Sequence, residues 1–122
     1  MNVENVLKTL TDLYPEAKII QNHDRDGKVI EVLCIYHNTK ALSEIISVVD
    51  KTMPHYHRGA TETYEIVRGK LVLNKGSEKI LLQVGDHIEL EPKEVHSAEG
   101  DETWVKLISR PGWNILDHAI VR

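Results

Sequence analysis

The chain holds one cysteine, Cys34, among its 122 residues, with four prolines and no phenylalanine at all. A single thiol excludes any intrachain disulfide and keeps sulfur from dominating a metal site. Its neighbours Val32, Leu33 and Ile35 predict a buried, inert thiol. The missing phenylalanine has no physical explanation in the sequence. No apolar run approaches the roughly 20 residues of a membrane-spanning helix, and the first residues lack the basic start and apolar stretch of a secretory signal. The expectation is a cytoplasmic protein without membrane contact. Cationic excess is missing too: 15 Lys and Arg stand against 19 Asp and Glu, a formal charge of −4. That balance gives no general attraction for nucleic acid.

What remains is the composition of one soluble domain, 41% hydrophobic and 28% charged, long enough for one core and too short for two. Val3, Val6, Leu7, Leu10, Leu13 and Tyr14 recur at helical spacing until Pro15 stops the pattern, so residues 1–16 are expected to form a short amphipathic helix packed on the outside. From residue 17 onward the period becomes that of strands. Residues 17–21 and 29–37 read as a hairpin across a turn containing Asp24, Asp26 and Gly27, and residues 43–49 as a further strand. Strand candidates then follow at 63–67, 70–74, 79–83, 87–91, 96–98 and 104–109, punctuated by Gly69, Gly76, Gly85, Pro92 and Gly100. Many short strands with frequent turns argue for an all-β sandwich or barrel over residues 17–122. Trp113, after the Pro-Gly turn of the tail, is expected to cover an end of it, with lining a pocket mouth as the alternative.

Chemistry concentrates between Pro54 and Tyr64. In an extended segment His55 and His57 point to one side and Tyr56 to the other. The bend through Gly59 then allows Glu62 to swing back as an oxygen ligand, and Tyr64 and Ile66 share its face. The turn from Pro92 leads to His96, which can return to the first three. Three imidazoles and a carboxylate suit one divalent transition metal (manganese, iron, nickel, cobalt or zinc) and leave positions open for water or substrate. Tyr64 is the candidate substrate-binding residue. The remaining histidines read as surface or edge residues: His87 by its alternation with Ile88 and Leu90, His23 by its turn, and His37 and His118 by lying outside the cluster. Arg68, Lys70 and Lys106 are basic groups that a sugar-phosphate isomerase would need, and none of them is assigned to the pocket.

These landmarks resemble the cupin family. Its first motif, His-x-His-x(3,4)-Glu-x(6)-Gly, is matched by His55, His57, Glu62 and Gly69, and its second, running from Gly through Pro to His, by Gly85, Pro92 and His96. The metal motifs occupy residues 55–69 and 85–100, and the likeness covers about residues 43 to 110. Departures fall at turn positions rather than ligands: no glycine opens the first motif, Glu94 stands where a glycine is common, and Gly100 replaces a frequent Asn. The tail Pro-Gly-Trp…Asp-His is similar to that of small single-domain cupins. The resemblance implies a double-stranded β-helix, or cupin jelly-roll barrel, with His55, His57, Glu62 and His96 on one metal. It also implies a homodimer paired through edge strands, for which residues 17–21 and 29–37 are the candidates. Three functions are consistent with it: an enzyme (isomerase, lyase or dioxygenase) acting on a small polar, carbohydrate-like molecule; a non-catalytic small-molecule sensor; or a metal-stabilised structural protein.

Overall fold

The computed structural model describes residues 1–121. Helix α1 spans Val3–Leu13, inside the segment 1–16 expected to hold it, and is opened by Asn2, whose side chain accepts a hydrogen bond from the Asn5 amide. Ten strands follow: β1 Lys18–His23, β2 Val29–Asn38, β3 Ser43–Lys51, β4 His55–His57, β5 Thr61–Arg68, β6 Leu71–Lys75, β7 Glu78–Leu82, β8 His87–Leu90, β9 His96–Arg110 and β10 His118–Ile120. A single 3-10 turn over Ile115–Asp117 precedes β10.

The strands curl into one barrel, with β1, β2, β3, β9, β4 and β10 hydrogen-bonded in that order while β5 and β6 branch from β9. The expected strands at 96–98 and 104–109 are one continuous strand of 15 residues, a correction to the sequence reading. Gly100 and Asp101 carry a bulge instead of a turn: β3 pairs Val49 with Thr103 and then Lys51 with Glu99. A Cβ on Gly100 would lie 2.8 Å from the Val49 carbonyl oxygen and 2.6 Å from Thr103 Oγ1, so the close approach of the two strands requires glycine there. This long strand meets β3, β4, β5 and β6 and ties the barrel together.

Two apolar clusters divide along the faces of β2 and β3. Inside the barrel, Leu33, Ile35, Ile45 and Val49 pack with Ile66, Leu71, Leu73, Leu90 and Val105. On the outer face, Val32, Cys34, Ile46, Val48 and Trp104 receive Val6 and Leu10 of α1. The helix therefore packs on the outside, as its stripe predicted, and Cys34 is buried beneath it. Burial on both faces explains why β2 reads almost without interruption as apolar. The one charged side chain within that run is Glu31.

Candidate metal centre

Strand β4 is only three residues long and is gripped from both sides. His55 pairs with His96 of β9, while His57 and Ile120 are matched by His118 and His55 across the β4–β10 ladder. Two-residue spacing puts His55 and His57 on one face, and cross-strand pairing places the His96 ring 4.2 Å from that of His55, centroid to centroid. Glu62 enters from β5, whose alternate residues Glu62, Tyr64 and Ile66 are buried. All four sequence-predicted ligands are thus brought together, and His55, Glu62 and His96 are at most 7% exposed.

The histidines are oriented by their other ring nitrogens. His55 Nδ1 donates to the Met53 carbonyl at 2.6 Å, and His96 Nδ1 to the Glu94 carbonyl at 3.0 Å. His57 Nδ1 faces Asp117 Oδ2 at 3.5 Å. Such contacts fix the tautomer and leave Nε2 as the free lone pair. One potential ligand atom from each of His55, His57 and His96 lies within 4.8 Å of those of the other two. Glu62 Oε1 stands 2.9 Å from His57 Nε2 and 3.7 Å from His96 Nε2. Despite the 2.9 Å separation, His57 Nε2, His96 Nε2 and Glu62 Oε1 have no well-aligned hydrogen-bond partner and are buried. Unpartnered buried polar atoms are costly. Ligands about 2.1 Å from one ion lie ~3.0 to ~3.4 Å apart in octahedral and tetrahedral arrangements, so the donor set fits a divalent transition metal.

Charge reinforces the fit. Burial, with the His96 ring beside it, pushes the His55 pKa down to about 3, so its lone pair is available at neutral pH. Burial opposes ionisation of Glu62, but its contacts with His57, and the histidines around it, win and hold its carboxyl below the usual range. Burial also opposes the charged form of His57, and Glu62 and Asp117 outweigh it, raising that pKa. A consequence is testable on protein stripped by a chelator. Below pH 6.5, its ordinary value, His55 takes up a proton when unfolded but not when native, down to about 3. Stability therefore falls as pH drops through that window, by up to about 1.4 kcal/mol per pH unit from this group alone. His96 and His118, also lowered by burial, act in the same direction. The raised His57 acts oppositely, its contribution being lost as pH rises through its folded value. Urea midpoints that move lower between pH 7 and pH 5 are expected; a flat or rising midpoint contradicts the dominance of His55.

A cavity of about 380 Å³ adjoins the cluster, lined there by His55, His57, Glu62 and Tyr64. Tyr64 faces inward as expected and is 6% exposed, its hydroxyl pKa driven well up by burial and by the Glu62 and Glu31 charges. Trp113 packs against the inner core and also lines this cavity, the alternative its position left open. His118 is an edge residue, yet its ring lies 4.5 Å from that of His55 and lines the cavity, which its distance from both motifs concealed. Asp117 accepts hydrogen bonds from the Gly59 and Ala60 amides, at 2.7 and 3.3 Å, and so buttresses the loop after His57. The β10–β4 pairing brings His118 here, and the Arg58 amide, donating to the Asp117 carbonyl at 2.8 Å, holds the residue before it. Arg68 lies over Trp104 and Lys106 pairs with Glu44 at 3.8 Å; neither they nor Lys70 line the cavity. Glu31, also on the cavity wall, was missed, though an acidic residue alone in an apolar strand was its signal.

No family model matches the chain. It is 35% identical over 80 residues to the uncharacterized protein MJ1618 of Methanocaldococcus jannaschii, a match covering 62% of this chain and 64% of that protein, so the chain spans slightly less than two thirds of that relative's length. The structure resembles the Streptomyces nucleoside dehydratase PAC13, solved with uridine, at a TM-score of 0.77 and 20% identity over 89% of this chain and 88% of that one. KdgF from Halomonas sp. superposes with a TM-score of 0.68 at 19% identity, covering 81% of this chain and 92% of that one. A double-stranded β-helix protein from Klebsiella pneumoniae gives 0.67 at 16% identity, with 92% and 94% covered. At these identities the likeness is one of fold, and it agrees with the topology of the strands and with the two motifs read along the chain. The chain has the double-stranded β-helix fold, with one short helix on its outer face.

Proposed function

We propose that this chain holds one divalent transition metal through His55, His57, Glu62 and His96, and that a small polar, carbohydrate-like molecule binds beside it. The observation that carries this reading is the set of buried, unpartnered His57 Nε2, His96 Nε2 and Glu62 Oε1 next to a cavity of about 380 Å³. A site meant only to brace the fold is closed by protein ligands, whereas this one borders space of the size small-molecule sites use. A metal there supplies Lewis acidity toward a ligand oxygen or a more acidic bound water. The chain's own residues do the rest. Glu62 and the three imidazoles present the donor atoms, Met53, Glu94 and Asp117 hold the rings in orientation, and Tyr64 and Trp113 wall the ligand space. The fold likeness to PAC13, a nucleoside dehydratase solved with uridine, supports a hydroxylated small molecule as the ligand class.

The test compares metal-loaded with chelator-treated protein against a panel of sugars, sugar phosphates and nucleosides. Saturable binding that needs the metal is the expected result. Turnover of a bound compound assigns an enzyme, and saturable binding without turnover assigns a sensor. If the loaded protein binds nothing in the panel, the small-molecule reading fails in favour of a metal-stabilised structural protein.

A further inference from the structure

The inner wall of the barrel carries a second polar group, separate from the metal-ligating cluster. Asn22 of β1 and Glu31 of β2 are direct cross-strand partners, and Ser47 of β3 pairs with Leu33, one diagonal step from Glu31. Asn22 Nδ2 donates to Glu31 Oε1 at 2.9 Å, and Ser47 Oγ donates to Glu31 Oε2 at 2.7 Å. Residues 31, 33 and 35 share a face of β2, and the other two are core leucine and isoleucine. Glu31 thus stands where an apolar side chain is expected. Replacing a buried polar network by apolar groups of similar shape is often neutral or stabilising, so packing alone does not account for the three residues.

Access points to a ligand. Asn22 and Glu31 both line the cavity that His55, His57 and Glu62 border. Each carboxyl oxygen of Glu31 accepts one protein hydrogen bond and keeps a second acceptor position. Among the described residues, Lys51 is the one lysine or arginine on the cavity wall, and Glu31 makes no ion pair with it within 4.0 Å. From this arrangement we infer that Asn22, Glu31 and Ser47 form a subsite for a hydroxyl group of the ligand, with Glu31 making the direct contact. Phosphate or carboxylate is disfavoured there because, among the described residues, no lysine or arginine pairs with Glu31. Burial, partly offset by the Ser47 and Asn22 hydrogen bonds and reinforced by the Glu62 charge, lifts the Glu31 pKa. The free acceptor positions on its carboxyl oxygens suit the O–H of a hydroxyl.

This inference rests on the small-molecule reading of the cavity, and the experiment separates the two. Metal-loaded wild type, Glu31→Gln and Glu31→Met are titrated with xylitol, D-glucose and uridine by NMR, with metal content measured on the same samples. Glutamine keeps a donor and an acceptor, and methionine keeps only the size. Expected are full metal content in all three proteins, binding of at least one probe to wild type, affinity within about threefold for Glu31→Gln, and a loss of roughly tenfold or more for Glu31→Met. Equal affinity of Glu31→Met and wild type, with metal present, overturns the subsite and leaves the metal reading standing. Binding of no probe by loaded wild type overturns the subsite as well, and loss of metal from wild type itself defeats the underlying reading. Should Glu31→Met fail to fold, Asn22→Leu takes its place: an affinity unchanged from wild type refutes the subsite, and a loss of roughly tenfold supports it.

Discussion

Protein with His55 and His57 both replaced by alanine, purified without added metal, is expected to contain almost none, against about one ion per chain in the wild type. Two of the four proposed ligands disappear, and the remaining pair, Glu62 and His96, is a carboxylate and one imidazole 3.7 Å apart. Both deleted rings border an existing cavity or its mouth, so removing them enlarges a space already present and leaves the core clusters untouched. The barrel should therefore survive, with a circular dichroism spectrum like that of wild type. Elemental analysis decides the matter: equal metal content in the two proteins would sink the ligand assignment.

The opposite dissociation is expected of Ile66→Ala. Ile66 is fully buried and lies on the same strand and the same face as Glu62 and Tyr64, but it belongs to the inner core. Its backbone amide donates to the Asp86 carbonyl and its carbonyl accepts from Gly85 on one edge, while β9 pairs along the other, so the strand is held against collapse around the lost atoms. Truncation should cost about 2 to 5 kcal/mol, through lost burial and a residual cavity. Metal content should stay at the wild-type level, because Ile66 provides no ligand and orients none. Urea unfolding measures the first quantity and elemental analysis the second. A stability loss under about 1 kcal/mol would show that the core can repack around Ile66.

Two variants with opposite outcomes reflect how the site is built, and how much of it can be read along the chain. His55 and His57 were legible because both ligands sit two residues apart on one strand, where alternation alone sets their direction. Glu62 and Tyr64 followed by the same parity. His96 was legible through its turn and through the family resemblance. Asp117 and His118 were not, since β10 is a three-residue strand whose meeting with β4 is a tertiary event. Gly100 misled for a related reason. Read locally it marks a turn, but here it lets β9 bulge against the Val49 carbonyl of β3, where any Cβ would collide.

By itself the amino-acid sequence determined the class of fold, the outer helix, the burial of Cys34 and the four candidate metal ligands. Each depends on local period, or on residues whose spacing carries its own geometry. Tertiary structure decided which carbonyls and carboxylates orient the imidazoles, that the tail closes against the site, and that Glu31 faces the cavity. Those facts depend on strand pairings between residues far apart in the chain, 61 positions for His57 and His118 and 65 for His55 and Ile120, and no local periodicity encodes such a partner.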